Sequence, residues 1–155
     1  MTIRLFQPED AQKVTDLIAV TMRTTNKNDY SPEYIEGCLS HMQPADIIRR
    51  ASWTHYYVIC EEEQIIACGA IGPYWDSVTE SSLFNIFVHP DYQGRGLGRK
   101  IIETVEQDEY ALRANRIEIP ASITAVQFYQ KMGYDLKPGM AYPDNEGLYR
   151  MEKYR

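Results

Sequence analysis

The chain has 155 residues, 44% of them apolar and 25% charged, with a formal net charge of −6 at pH 7. That length suits one compact domain, residues 1–155, with volume for a hydrophobic core. The acidic balance speaks against nucleic acid as a partner, because phosphate recognition needs a basic face, and no apolar run reaches the roughly 18 residues that a membrane-spanning helix requires.

The first ten residues are too polar for a secretory signal. Within them, residues 3–6 alternate as a short strand closed by Pro8. Pro8, Glu9 and Asp10 then open a helix, with acids in its first turn. Val14, Leu17, Ile18 and Met22 recur at helical spacing and carry it to about Arg23. A polar loop over residues 24–30 leads to Ser31 and Pro32, an N-cap followed by proline at the first helical position. This second helix is expected to pass Met42, break near Pro44 and resume through Ile47 and Ile48. Residues 55–60 and 64–71 flank the acidic turn at Glu61, Glu62 and Glu63 and read as a hairpin. Residues 81–88 form a longer strand ending at His89 and Pro90. A helix is expected from Gly94, carrying Leu97, Ile101, Ile102 and Val105. Residues 116–119 read as a strand, 124–132 as a helix stopped by Gly133, and 134–136 and 148–152 as closing strands. There is no repeat or low-complexity segment. The order β-αα-ββ-β-α-β-α-β-β describes a mixed α+β domain.

Cys38, Cys60 and Cys68 make an odd set without CxxC spacing, as expected in a reducing cytoplasm. His41, His55 and His89 have no metal-ligand spacing to one another or to the cysteines, so no metal is expected.

The most informative segment is Gln93, Gly94, Arg95, Gly96, Leu97, Gly98 and Arg99, between a strand and an amphipathic helix. Side chains are missing at alternate positions, so an anion can approach the N–H groups that a helix start leaves unpaired. Positive side chains are unfavourable at this end of a helix, yet Arg95, Arg99 and Lys100 cluster there. An anionic ligand resolves the conflict. Counting excludes the better-known phosphate loops: Lys100 is followed by Ile101 rather than Ser or Thr, and the third glycine of GxGxxG has no counterpart. Glycines alone still allow a plain strand–helix corner.

Two stretches together narrow the choice. Residues 88–98 resemble the acyl-CoA signature of the GNAT superfamily of N-acetyltransferases, Gln/Arg-x-x-Gly-x-Gly/Ala after a strand. Residues 125–134, Ala-Val-Gln-Phe-Tyr-Gln-Lys-Met-Gly-Tyr, resemble that superfamily's second signature. Both stand in the expected order, and the element order matches over nearly the whole chain. The resemblance implies a mostly antiparallel twisted sheet with a splayed parallel strand pair, flanked by helices. It implies acetyl-CoA as co-substrate, with its pyrophosphate on the main chain of Gly94, Arg95, Gly96, Leu97, Gly98 and Arg99. The pantetheine arm would then pair with Phe87 and Val88.

By the same resemblance Tyr129 falls on the tyrosine that protonates the departing thiolate. Ser122 stands where relatives carry an asparagine that bonds the pantetheine, and it also suits an N-cap. Relatives often place a carboxylate base on the central strand. Strict alternation there puts Ser82, Phe84, Ile86 and Val88 on one face and Leu83, Asn85 and Phe87 on the other, with no carboxylate after Glu80. Glu118 is the best alternative base, or else a strand residue paired with Arg116, and Asn85 is placed to orient a water. Arg49 and Arg50 read as cations favoured near a helix end.

The acceptor, a small-molecule or peptide amine, would meet the first helices and the late strands. Asp29 and Tyr30 are candidate contacts there, and Asp29, Asp144 and Glu146 are candidate attractors of a cationic amine. A homodimer is an expectation by analogy with small relatives. The competing reading is a non-catalytic acyl-CoA sensor, which needs the glycine turn but not Tyr129.

Overall fold

A computed structural model describes all 155 residues. Strand β1 (Thr2–Leu5) leads into a 3₁₀ turn at Pro8–Asp10 and helix α1 (Ala11–Thr25). Two short helices follow, α2 (Pro32–Leu39) and α3 (Pro44–Ala51). Pro44 therefore opens a helix instead of interrupting one. It holds the first helical position, and Asp46 accepts the Gln43 N–H at 3.0 Å to close a capping box.

The hairpin β2 (His55–Glu61) and β3 (Gln64–Pro73) is followed by β4 (Glu80–Val88), α4 (Leu97–Val105) and α5 (Glu109–Leu112). Helix α5 lies outside the expected order; Asp108 caps it by accepting the Tyr110 N–H at 2.9 Å. Strand β5 (Arg116–Ser122), α6 (Val126–Lys131), β6 (Asp135–Leu136) and β7 (Leu148–Tyr154) complete the chain. Gly133, at φ +93°, ends the α6 segment as expected.

One seven-stranded sheet runs β1-β2-β3-β4-β5-β7-β6, antiparallel everywhere except β4/β5. Helices α1 to α3 cover one face, over a core that includes Val14, Ile18, Ile47, Tyr56 and Val58. The opposite face buries Leu83, Ile102, Ile117, Tyr129 and Tyr134 among others. A smaller cluster, with Ile59, Ile66 and Ile101, seats the start of α4 on β2 and β3.

Two irregularities shape the middle of the sheet. The parallel pair holds only at Glu80–Arg116, Ser81–Ile117 and Ser82–Glu118, after which β4 and β5 part. Pro120 is tolerated inside β5 because it lies past that point: β7 still pairs there, at Arg150, but the β4 side has no ladder to break. The second irregularity is a bulge in β4. Cys68 pairs with Phe87 but Ala70 pairs with Phe84, so three steps of β4 oppose two of β3. Asn85 sits in the bulge at φ +52°, a conformation asparagine tolerates better than most residues. Strict alternation along β4 is thereby overturned: Phe84 and Phe87 both pack on the α1 side, while Ile86 and Val88 face the opposite core.

Candidate active site

The glycine turn follows directly from the end of β4. His89 Nδ1 accepts the Asp91 N–H at 3.1 Å and starts a 3₁₀ turn over Pro90–Tyr92. Gln93 then reaches back, its Nε2 donating to the Val88 carbonyl at 3.2 Å, which pins the turn to the strand end. Gly94 and Gly96 both adopt φ +78°, where a Cβ is strained. Helix α4 begins at Leu97, three residues later than the sequence suggested, because these left-handed positions are incompatible with a helix. The first helical bond runs from Lys100 N–H to the Gly96 carbonyl at 3.0 Å.

Consequently six consecutive N–H groups, at Gly94, Arg95, Gly96, Leu97, Gly98 and Arg99, have no acceptor in the chain. A Cβ at Gly94 or Gly96 would meet nothing within 4 Å, so the space before them is open. Gly98 differs. A Cβ there would stand 3.0 Å from the Phe128 ring, so this glycine admits helix α6's aromatic against α4. Arg95 lies over the Tyr92 ring at 5.1 Å, and both Arg95 and Arg99 are exposed. Open N–H groups at a helix start with free guanidinium groups beside them have the chemistry to receive a multiply charged oxyanion.

From this turn the gap between β4 and β5 runs inward. Val88 pairs with Ala67, and its carbonyl also lies 3.4 Å from the Thr21 hydroxyl; Phe87 is half-buried against the α1 core. At the bulge Asn85 Nδ2 donates to the Tyr56 hydroxyl at 3.1 Å, and the Asn85 carbonyl accepts from Cys68 Sγ at 3.2 Å. Asn85 is therefore held by two buried groups. Burial pushes the Cys68 thiol up to about 12, which keeps it protonated and able to donate.

Tyr129 projects from α6 into the opposite core, 4% exposed, edge-on to Phe128 and Tyr134 with centroids at 5.2 and 6.1 Å. Burial raises its pKa above tyrosine's ordinary value, so the hydroxyl stays protonated at neutral pH. It bonds to nothing in the chain. Thr15 Oγ1 is the side-chain atom that is both sealed and unpartnered, so the Tyr129 hydroxyl retains access to open space. Ser122 ends β5 in N-cap conformation, yet its hydroxyl makes no capping bond to the following turn, which leaves the side chain available to a ligand.

Glu118 is 2% exposed and points to the α1 side of the sheet, alongside Ser82. Its oxygens meet Arg116, Lys137 Nζ at 3.2 Å and Arg150 Nη1 at 3.7 Å. Arg116 also binds Glu152 at 2.7 Å and Glu80 at 3.5 Å. Of the two roles the sequence offered, the geometry matches the strand residue paired with Arg116, and the pair is buried.

The loop candidates are also engaged. Asp29 accepts from the Thr124 hydroxyl at 2.7 Å, and Tyr30 both donates to the Gly147 carbonyl at 2.5 Å and accepts the Ile123 N–H at 2.8 Å. Tyr34 stacks on Tyr30 at 4.5 Å and bonds the Glu146 carbonyl. These residues bolt the α1–α2 loop to the start of the α6 segment and to the turn before β7. Asp144 is occupied by Arg150 at 2.8 Å and by two main-chain N–H groups. It is a turn anchor, which leaves Glu146 as the free acid of the three proposed attractors.

Sequence reasoning missed one contact of Arg50. The residue lies in the last turn of α3, where the sequence put it, and its guanidinium also lies over Phe84 at 4.3 Å and Trp53 at 5.3 Å, beside the bulge. Trp53 is a near neighbour in sequence, but no local signal could mark the contact with Phe84, which β4 brings in.

Comparison with known proteins agrees with this geometry. A model of the GNAT acetyltransferase domain matches residues 52–136. An N-acetyltransferase ycf52-like protein of Prochlorococcus marinus is 30% identical over 63 residues, covering 41% of this chain and 35% of that protein. The [ribosomal protein bS18]-alanine N-acetyltransferase of Escherichia coli K12 is 37% identical over 59 residues, covering 36% and 40%. The matched stretches thus span well under half of those curated relatives. Among solved structures, PaiA N-acetyltransferase from Thermoplasma acidophilum in complex with coenzyme A superposes with a TM-score of 0.83 at 16% identity, over 99% of this chain and 98% of that one. A GCN5-related N-acetyltransferase from Rhodopseudomonas palustris gives 0.80 at 23% identity, over 99% and 95%. The domain match takes in the hairpin, the bulged strand, the open N–H turn and the Tyr129 helix, more than half of the sequence, and so this chain belongs to the GNAT acetyltransferase family.

Proposed function

We propose that the chain is an acetyl-CoA-dependent N-acetyltransferase that passes the acetyl group directly to a primary amine. The observation carrying this reading is the row of six unpaired N–H groups at residues 94–99, at the end of a strand that has left its parallel neighbour. The turn supplies the right chemistry for a pyrophosphate, and the gap beyond it is bordered by Phe87, Val88 and Ser122, which would line a pantetheine arm. That the relative from Thermoplasma acidophilum was solved with coenzyme A supports the same donor.

In the reaction a neutral amine attacks the thioester carbonyl. The C–N bond forms, the C–S bond breaks, and the amine's proton passes to water. Tyr129 donates its proton to the departing thiolate and recovers one from solvent. A tyrosine held protonated by burial, with no competing partner, is matched to that donation. No side chain in the gap is needed as a nucleophile for direct transfer. Glu118, clamped by three cations, serves in this scheme as an organiser of the β5–β7 wall. The relative from Escherichia coli is named for acetylating an alanine of a ribosomal protein, which supports an amine acceptor without naming this one. The free thiols of Cys38, Cys60 and Cys68 support a reducing compartment such as the cytoplasm.

A thiol-release assay with acetyl-CoA and a panel of amines and peptides tests the proposal. Acceptor-dependent release is expected. Coenzyme A binding without any such release would favour the sensor reading, and absence of binding would overturn both.

A further inference from the structure

Seven of the ten arginines donate to an acid or a carbonyl; those that donate to nothing are Arg95, Arg99 and Arg50. The first two flank the open N–H turn, where an anion is called for. Arg50 is different because it is not a free surface cation. It is half-buried at the end of α3, with Trp53 and Phe84 against it and the two rings edge-to-face at 5.2 Å. Burial pulls its pKa below arginine's ordinary value, and no carboxylate pairs with it. Stacking satisfies the faces of a guanidinium and leaves its in-plane N–H donors unpaired. Placing such a donor set half out of water without an acceptor carries a cost, which an arriving anion removes.

Its position says what that anion belongs to. Arg50 lies over Phe84, which immediately precedes the bulge residue Asn85 on the α1 side of the sheet. Arg50 therefore stands on the α1–α3 side of the bulge, across the strand from Tyr129. This is the side on which the acceptor must approach if the donor lies in the gap.

We propose that Arg50 receives the carboxylate of the acceptor, which is a small amino-carboxylate such as a free amino acid. The inference rests on the acetyltransferase reading and narrows its substrate class. The planar fork of arginine matches a carboxylate through two parallel hydrogen bonds. The closeness of Arg50 to the bulge requires the anion and the reacting amine to be parts of one short molecule. It also argues against a polycationic acceptor, which would face an uncompensated positive charge.

The test compares kcat/KM for amino acids and for their amides. The wild type should prefer the free acids on the order of 10- to 100-fold, chiefly through KM, the range expected for hydrogen bonds to a charged group. Arg50→Gln should abolish that preference with coenzyme A affinity unchanged, and Arg50→Lys should restore part of it by keeping the charge without the fork. Equal use of acid and amide by the wild type, or a preference that survives Arg50→Gln, overturns the proposal. A second measurement does not depend on turnover: the thermal shift given by N-acetylglycine against N-acetylglycinamide in the absence of coenzyme A. Stabilisation by the acid alone, lost in Arg50→Gln, supports the anion site, and equal responses to both compounds overturn it. Failure of the protein to bind coenzyme A would instead strike at the acetyltransferase reading.

Discussion

The two ends of the β4–β5 pair treat charge in opposite ways. Where the strands are joined, Arg116 is enclosed by Glu80, Glu118 and Glu152, with Lys137 and Arg150 completing the balance. Where they have separated, six N–H groups and two arginines have nothing to bind. Both ends are rich in polar groups, so abundance of charge does not distinguish a site from a scaffold. Completeness of pairing does. Saturated groups hold the strands together, and unsaturated ones await something from outside.

That contrast can be broken experimentally. The largest expected effect is at the saturated end: Arg116→Met takes the cation from buried Glu152 and from Glu80, leaves Glu118 only Lys137 and Arg150, and should lower stability by about 3–5 kcal/mol. Denaturant unfolding measures this, and coenzyme A affinity of the molecules that remain folded should not change. A loss below about 1 kcal/mol would mean that the cluster is not structural.

Next comes Tyr129→Phe, expected to lower kcat by roughly 10- to 1000-fold with little effect on coenzyme A affinity. Single-turnover kinetics isolates the chemical step, and an unchanged rate there removes Tyr129 as the acid. Gly96→Val follows. It forces a branched residue to a φ near +78°, at a cost of about 1–3 kcal/mol of strain, and should weaken coenzyme A binding by on the order of 10- to 100-fold, read by calorimetry on the folded protein. An unaltered affinity would place the pyrophosphate elsewhere.

The smallest effect lies away from both ends, at a pair that is saturated but partly exposed. Hydrogen bonding from Arg4 holds the Asp10 carboxyl below the usual carboxylate range. A depressed folded pKa gives stability that is present above about pH 4, the unfolded value, and is lost as pH falls through the folded one. Asp10→Asn should therefore cost about 0.5–1 kcal/mol at pH 7 and progressively less below pH 4. Unfolding curves at pH 7 and pH 3 check the sign.

Much of this was legible in the residues themselves. The hairpin, the Gly133 stop and the strand–turn–helix around residues 88–105 rest on local signals: alternation, glycine at a helix end, apolar spacing. The splayed parallel pair followed from the resemblance. What escaped depended on distant partners. The helix expected from Gly94 starts at Leu97, since Gly94 and Gly96 adopt a handedness that composition does not reveal. Pro44 signals both a break and a start, and the Asp46 cap decided between them. Tyr30 reads from the sequence as a candidate acceptor contact in a loop, and its bond to Gly147, 117 positions along the chain, has no local signal. The Lys137 and Arg150 partners of Glu118 and the seat of Arg50 on Phe84 depend on distant segments, which no window of sequence contains.

The bulge at Asn85 has a consequence for how this chain can vary. One surplus residue in β4 turns Phe84 and Phe87 to the same side of the sheet and aims the strand's end at the glycine turn. Deleting it would straighten the ladder and send every residue from Ile86 to Val88 to the opposite face of the sheet. An insertion would exchange the same faces while enlarging the bulge. The strand thus behaves like a reading frame, in which side chains are exchangeable but the count is not.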